Sequence, residues 1–187
     1  MKHLAIAGLL SLVLVGKLPA QTVIHPAAPL DSGRAILRDA IVVLRDSLGA
    51  IEGAAARLQR DYRAASGAAL VARARLMRDA CASSLRTVAP TRKVVGSAEL
   101  TEQKRLVRQR ELVTALDTLK TALSLCQTEF AAMSRPDQGE RVRDYGNDRA
   151  ARVQRALRRY ERTLQGFLQV MGIRVVPLGL SRTPSAG

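Results

Sequence analysis

Cysteine and arginine are the two residue types in this sequence whose spacing could support chemistry or binding. The chain has two cysteines, Cys81 and Cys126, which lie 45 positions apart. Redox-active and zinc-binding cysteines are usually closely spaced or accompanied by histidines. Neither condition is met here, so the pair predicts a structural disulfide, with a free or intermolecular thiol as the alternative.

Arginine is concentrated in the segment "DRAARVQRALRRYERT" of the C-terminal half. The residues recur every three or four positions, which places them on one face of a helix. Guanidinium groups bind phosphate and carboxylate groups well, whereas a solvated helix face is the alternative interpretation. The candidate anion-binding residues are Arg149, Arg152, Arg155, Arg158, Arg159 and Arg162. Two smaller basic clusters comprise Arg73, Arg75 and Arg78, and Lys104, Arg105, Arg108 and Arg110.

The net charge of +14 favours an anionic partner. The candidates are an anionic envelope polymer or lipid, or an acidic protein. A genomic bias towards arginine codons is the alternative explanation of the charge. Nucleic acid is not favoured, because the sequence adds neither base-stacking aromatic residues nor a groove-reading motif to its arginines.

Catalytic motifs are missing from the sequence. It contains no phosphate-binding loop, no nucleophile elbow and no cysteine-histidine haem attachment signature. Beyond the first 20 residues the only histidine is His25, in a segment between prolines. We therefore predict that the protein is not an enzyme and has no metal or cofactor.

The N-terminus has the three-part pattern of a secretory signal peptide. Lys2 precedes an apolar stretch from Leu4 to Val15, and the small residue Ala20 follows. We predict a signal peptide over residues 1–20 and a periplasmic or secreted protein, a compartment in which a disulfide is stable. Loss of Lys2 and Lys17 would lower the net charge from +14 to +12. No later segment is apolar enough to cross a membrane.

Four apolar stripes predict the elements that carry these residues. Residues 21–33 contain two prolines and predict an extended linker, residues 34–172 a helical domain, and residues 173–187 an irregular tail. Within the domain, apolar residues alternate spacings of four and three, as in helices with heptad-like seams. The stripes are Leu37, Ile41, Leu44, Leu48, Ile51, Ala55, Leu58 and Tyr62; Leu70, Ala74, Met77, Cys81, Ser84 and Val88; Leu112, Leu116, Leu119, Leu123, Cys126, Phe130 and Met133; and Val153, Leu157, Tyr160, Leu164, Phe167 and Met171.

The stripes predict an all-α protein, a four-helix antiparallel bundle or a set of long helical hairpins, with one disulfide. Ser66 and Gly67 are the favoured break between the first two helices, although a continuous helix is the alternative. Pro90 and Gly96 predict the end of the second helix. To bring Cys81 near Cys126, the segment from Val88 to Ser97 must then be extended, and the polar first half of the third helix must project past the second.

Together these patterns predict a periplasmic or secreted, non-enzymatic helical protein that binds an anionic envelope component or an acidic protein through arginine-rich helix faces. One alternative is a periplasmic chaperone-like protein that binds clients through apolar seam residues of the third helix. A second is a structural module that associates with itself as a homo-oligomer, since heptad seams also join separate chains.

Overall fold

The computed structural model describes residues 32–60 and 62–175, which form four helices and contain no strand. The helices are α1 (Ser32–Gln59), α2 (Gly67–Ser97), α3 (Gln103–Met133) and α4 (Gly139–Met171). The all-α prediction is confirmed. The signal peptide, all but the last two residues of the linker, and the tail from residue 176 lie outside the described residues.

The four apolar stripes line one continuous core. All their members are buried except Tyr62, which lies beyond the end of α1 and packs only partly against the core. α2 and α4 contact each other across the bundle, whereas α1 and α3 do not meet anywhere in the described residues. The cross-section is therefore a rhombus, with α2 and α4 at the ends of its short diagonal.

Cross-helix hydrogen bonds show that α1 and α2 run antiparallel. The Thr91 hydroxyl donates to the carbonyl of Ala40, and the Ser84 hydroxyl donates to the carbonyl of Ser47. Residue numbers thus rise along α1 as they fall along α2. These bonds also explain why Ser84 is fully buried within an apolar stripe, since its hydroxyl has a partner there.

The helix ends follow local chemistry. Ser66 caps α2, because its hydroxyl oxygen accepts from the backbone N–H of Ala69. Gly172 ends α4 in a left-handed conformation with φ of 65°, which glycine adopts readily. Ile173 then folds back, donates to the carbonyl of Leu168 and is buried. α1 begins at Ser32, so Ser32 and Gly33 are helical and not part of an extended linker.

The predicted end of the second helix is wrong. α2 continues through Pro90 and Gly96 to Ser97, and the segment from Val88 onwards is helical. Pro90 lies on the exposed face. The stripe continues beyond it, with Thr91 and Val95 buried against the neighbouring helices. This packing outweighs the roughly 3 kcal/mol cost of an interior proline.

The predicted disulfide between Cys81 and Cys126 is present, with Cα atoms 6.2 Å apart. At 1.5 Å per residue, α2 advances about 24 Å from Cys81 to its end, and α3 about 34 Å from its start to Cys126. The five-residue loop over 98–102 covers the remaining 10 Å or so. Only the first turns of α3 therefore extend past α2, not its whole polar half. In the chain-entropy treatment, the disulfide stabilises the fold by about 4 kcal/mol, because it closes a loop with a sequence separation of 45.

Candidate anion-binding surface

The six candidate arginines of α4 do not form one uniform surface. Arg149 and Arg152 both contact Glu129 of α3, at 2.8 Å and 3.2 Å. The Glu129 side chain is only 18% exposed, so its carboxylate is held between the two helices. These two arginines join α3 to α4, and one carboxylate offsets half of their charge.

Arg155 and Arg158 lie elsewhere on α4. Arg158 is half-buried, and its charge acts on Glu52 of α1, where it lowers the pKa of that carboxyl. Arg155 is exposed, and its side chain makes no hydrogen bond or ion pair with the described residues. These four arginines of α4 therefore lie in three environments: beside Glu129, near Glu52, and in solvent.

Arg159 and Arg162 line a groove between α3 and α4. Two arginines of α3, Arg108 and Arg110, line the same groove, although they are about 50 residues away in the sequence. The volume of the groove is about 760 Å³. We call this feature the α3–α4 groove; its remaining lining residues are Glu111, Thr114, Ala115, Thr118 and Thr163.

Three of the four groove arginines have side chains without a partner in the described part of the chain. The Nη1 atom of Arg108 lies 2.7 Å from a carboxylate oxygen of Glu111, and its guanidinium lies over Gly166 of α4. The guanidinium groups of Arg110, Arg159 and Arg162 have no hydrogen bond or ion pair to any part of the chain that the structure describes. Their guanidinium donors are therefore available to an external anion.

Other arginines bind backbone carbonyls at the opposite end of the bundle, where α1 and α3 end. We call this region the closed end. Arg143 of α4 donates to the carbonyls of Tyr62, Arg63 and Ala65, at 3.3, 2.8 and 3.0 Å. These bonds satisfy carbonyls of the loop after α1, which no helix partner reaches. Arg143 therefore has a structural role, which its position before the predicted arginine stripe did not reveal.

The predicted cluster of Arg73, Arg75 and Arg78 is used in a similar way. Arg73 donates to the carbonyl of Arg60 after α1, and Arg75 donates to the carbonyl of Ser134, the residue that caps α3. Arg78 pairs with its neighbour Asp79. The fold therefore does not bring this cluster together with the α4 arginines as one anion-binding surface.

Polar side chains form a seam between α1 and α4 that sequence reasoning missed. Gln154 donates to Glu52 at 3.2 Å and accepts from Gln59 at 3.0 Å. Arg45 and Glu161 are buried further along the same interface, around the hydroxyl of Tyr160. Arg45, Glu52 and Gln59 are spaced seven residues apart, and such an interval keeps residues on one helix face. This spacing is the feature of the sequence that could have predicted the polar seam.

Burial shifts the acidity of two groups in this seam. Desolvation raises the pKa of Glu52, while the hydrogen bond from Gln154 and the charge of Arg158 lower it less. Burial and the charge of Glu161 raise the pKa of Tyr160, so its phenol stays neutral. The seam therefore holds one carboxylate whose ionisation is disfavoured by the fold.

The described residues contain no group of three histidine, cysteine, aspartate or glutamate side chains placed to hold a metal ion. Both cysteines belong to the disulfide. His3 and His25 lie outside the described residues. Among residues 32–60 and 62–175, no helix combines the length and apolar character that a membrane span requires.

The apolar seam of α3, on which the chaperone-like alternative depends, faces the core. Leu112, Leu116 and Leu123 are fully buried. Within the described part of α3, the exposed large apolar side chains are Val107 and Leu125. α3 therefore offers an external client little apolar surface.

Comparisons with known proteins do not add to this description. No protein-family model matches the chain, and searches of curated proteins and of solved structures give no match either. The assignment of a function therefore depends on the geometry of the chain itself.

Proposed function

We propose that this protein is an exported, non-enzymatic protein that binds an anionic envelope component or an acidic protein through the α3–α4 groove. The observation that carries the proposal is the position of Arg110, Arg159 and Arg162. They come from two helices and line one concave surface, and their guanidinium groups have no internal partner among the described residues. Guanidinium groups left unpaired in a groove favour phosphate or carboxylate ligands.

Export is supported by two independent features. The first 20 residues have a signal-peptide pattern. The disulfide joins helices in the core, and such bonds persist in oxidising compartments. Mass analysis of the exported protein should give an N-terminus at Gln21 and a mass that rises by two hydrogens on reduction. A retained N-terminus, or two thiols that react without prior reduction, would contradict this part of the proposal.

Heparin chromatography tests the binding function, because heparin is a soluble polyanion. We expect the protein to be retained and to elute at a lower salt concentration when Arg159→Gln and Arg162→Gln are combined, because the groove loses two of its unpaired cations. Salt competes with ionic contacts, so retention should fall steeply as the salt concentration rises.

The matched control for this experiment combines Arg38→Gln with Arg78→Gln. Arg38 is exposed and Arg78 is partly exposed, each is paired with a neighbouring aspartate, and the double change removes the same net charge. A groove that binds anions predicts a small shift for the control and a large shift for the groove variant. Equal shifts would mean that retention reflects total charge, and the groove would have no special role.

A further inference from the structure

The cations of the α3–α4 groove follow one another along its length. Arg108 of α3 lies beside Gly166 of α4, and Glu129 lies beside Arg149 and Arg152. In this antiparallel register, Arg162 and Arg159 lie opposite the stretch of α3 that begins at Thr114 and reaches Thr118. From Arg108 to Thr118 the helix advances about 15 Å. The basic residues are thus attached to the backbone at successive positions, an arrangement that suits an extended ligand.

The groove offers charged donors and few neutral ones. The hydroxyls of Thr114, Thr118 and Thr163 donate to the carbonyls of Arg110, Thr114 and Arg159 within their own helices. Both walls are helices, whose interior N–H and C=O groups are already paired. The groove therefore selects a ligand by its negative charge and not by hydroxyl or amide groups.

This donor set distinguishes between the ligand classes open to the proposed function. An extended acidic peptide would bring backbone amide groups into the groove, where no strand edge or free backbone donor can pair with them. A flat lipid surface meets the crests of α3 and α4 before it reaches the groove between them. A chain of phosphates carries an anionic group at every unit and needs only guanidinium donors.

We propose that the α3–α4 groove binds a linear polymer of phosphate units, which lies along the groove and is contacted from both walls. Arg110 on α3 and Arg159 and Arg162 on α4 supply the contacts. Arg108, held by Glu111 against Gly166, closes one end of the row of cations. This inference rests on the proposed function, because it specifies the anion that the groove takes.

Titration calorimetry with inorganic phosphate chains of defined length tests the inference on the full exported protein. We expect affinity per chain to rise at least tenfold from orthophosphate to a chain of about 15 Å and to level off beyond that length. Combining Arg159→Gln with Arg162→Gln should weaken the long chain about tenfold or more, since each change removes a charge-assisted contact. The matched Arg38→Gln and Arg78→Gln variant should change it less than threefold.

Two further probes separate the competing ligands. An abasic sugar-phosphate oligomer with the same number of charges shows whether closely or widely spaced phosphates fit better, and binding of either supports the inference. If oligoglutamate of equal charge, or anionic lipid vesicles, bind as tightly and depend equally on the groove arginines, the inference is overturned while the proposed function stands. If no polyanion distinguishes the groove variant from its control, both are wrong.

Discussion

The closed end of the bundle and the α3–α4 groove use the same residue type for opposite purposes. At the closed end, Arg73, Arg75 and Arg143 donate to backbone carbonyls after α1 and α3. In the groove, the guanidinium groups of Arg159 and Arg162 have no partner among the described residues. The difference arises because helix ends expose carbonyls without donors, whereas a groove between helix sides does not. Charge density alone therefore does not identify a binding surface.

The largest expected effect concerns the close approach that forms the closed end. A Cβ atom at Gly139 would lie 2.5 Å from the Cα of Gly67, so the backbones of α2 and α4 must move apart in Gly139→Ala. We expect a loss of about 2–3 kcal/mol in the free energy of unfolding, measured by urea denaturation. Binding of polyanions per folded molecule should be unchanged, because the groove lies at the other end.

Gly67→Ala is the matched control for this change. A Cβ there would meet Gly139 at 3.6 Å, an ordinary contact, so we expect a stability change below about 0.5 kcal/mol. Equal effects of the two substitutions would show that the tight contact does not determine how the closed end packs.

Arg143 of the closed end and Arg162 of the α3–α4 groove should respond in opposite ways to the same substitution. Arg143→Gln removes donors from three carbonyls, and we expect it to lower the free energy of unfolding by about 1–2 kcal/mol while leaving heparin retention nearly unchanged. Arg162→Gln should do the reverse, because its side chain has no partner within residues 32–60 and 62–175. Denaturation and chromatography on the same two variants measure both properties. If each variant lost both stability and retention, the division between structural and available arginines would be wrong.

The smallest effect concerns the α1–α4 seam, whose carboxylate Glu52 is partly buried. Burial raises the pKa of Glu52 above its ordinary value of 4.5, so the ionised carboxylate destabilises the folded state at neutral pH. This destabilisation is full above the folded pKa, falls as the pH drops through that value, and is gone below the ordinary value of 4.5. Glu52→Gln should therefore unfold at a higher temperature than the natural protein at pH 7, and the difference should shrink at pH 4.

The exposed residue Glu99 supplies the control for the seam. Glu99→Gln should change the melting temperature by the same small amount at pH 7 and pH 4. If the difference in melting temperature between Glu52→Gln and the natural protein grew on acidification, the expectation would be wrong.

The helix content and core of this protein follow from local patterns. The spacing from Leu37 to Leu58 predicts a helix with one apolar face, and all of these residues are buried. Gly172 predicts the end of α4, because glycine adopts the left-handed conformation needed there. The prediction at Pro90 is wrong for a physical reason: the propensity of one residue is small beside the packing of the helix that contains it.

The candidate groove depends on contacts that no local pattern contains. Arg108 and Arg159 belong to different sequence clusters, and only the antiparallel packing of α3 and α4 places them on one surface. Likewise, Arg143 resembles its neighbours in sequence, yet the loop after α1 passes within reach of its guanidinium. Gln109 is a third case, because its buried amide caps the end of α2 through the carbonyls of Val95 and Ala98.

The sequence by itself determined that the chain is helical and which faces of its helices point inward, because periodicity acts over a few helical turns; it favoured the break at Ser66 and Gly67 and the pairing of its two cysteines, which the structure then showed. Only the tertiary structure decided which arginines bind carbonyls, which pair with Glu129 and which remain unpaired in the groove. A guanidinium reaches several ångströms from its own backbone, so its partner is fixed by how helices distant in sequence pack and by what lies at that distance once they do.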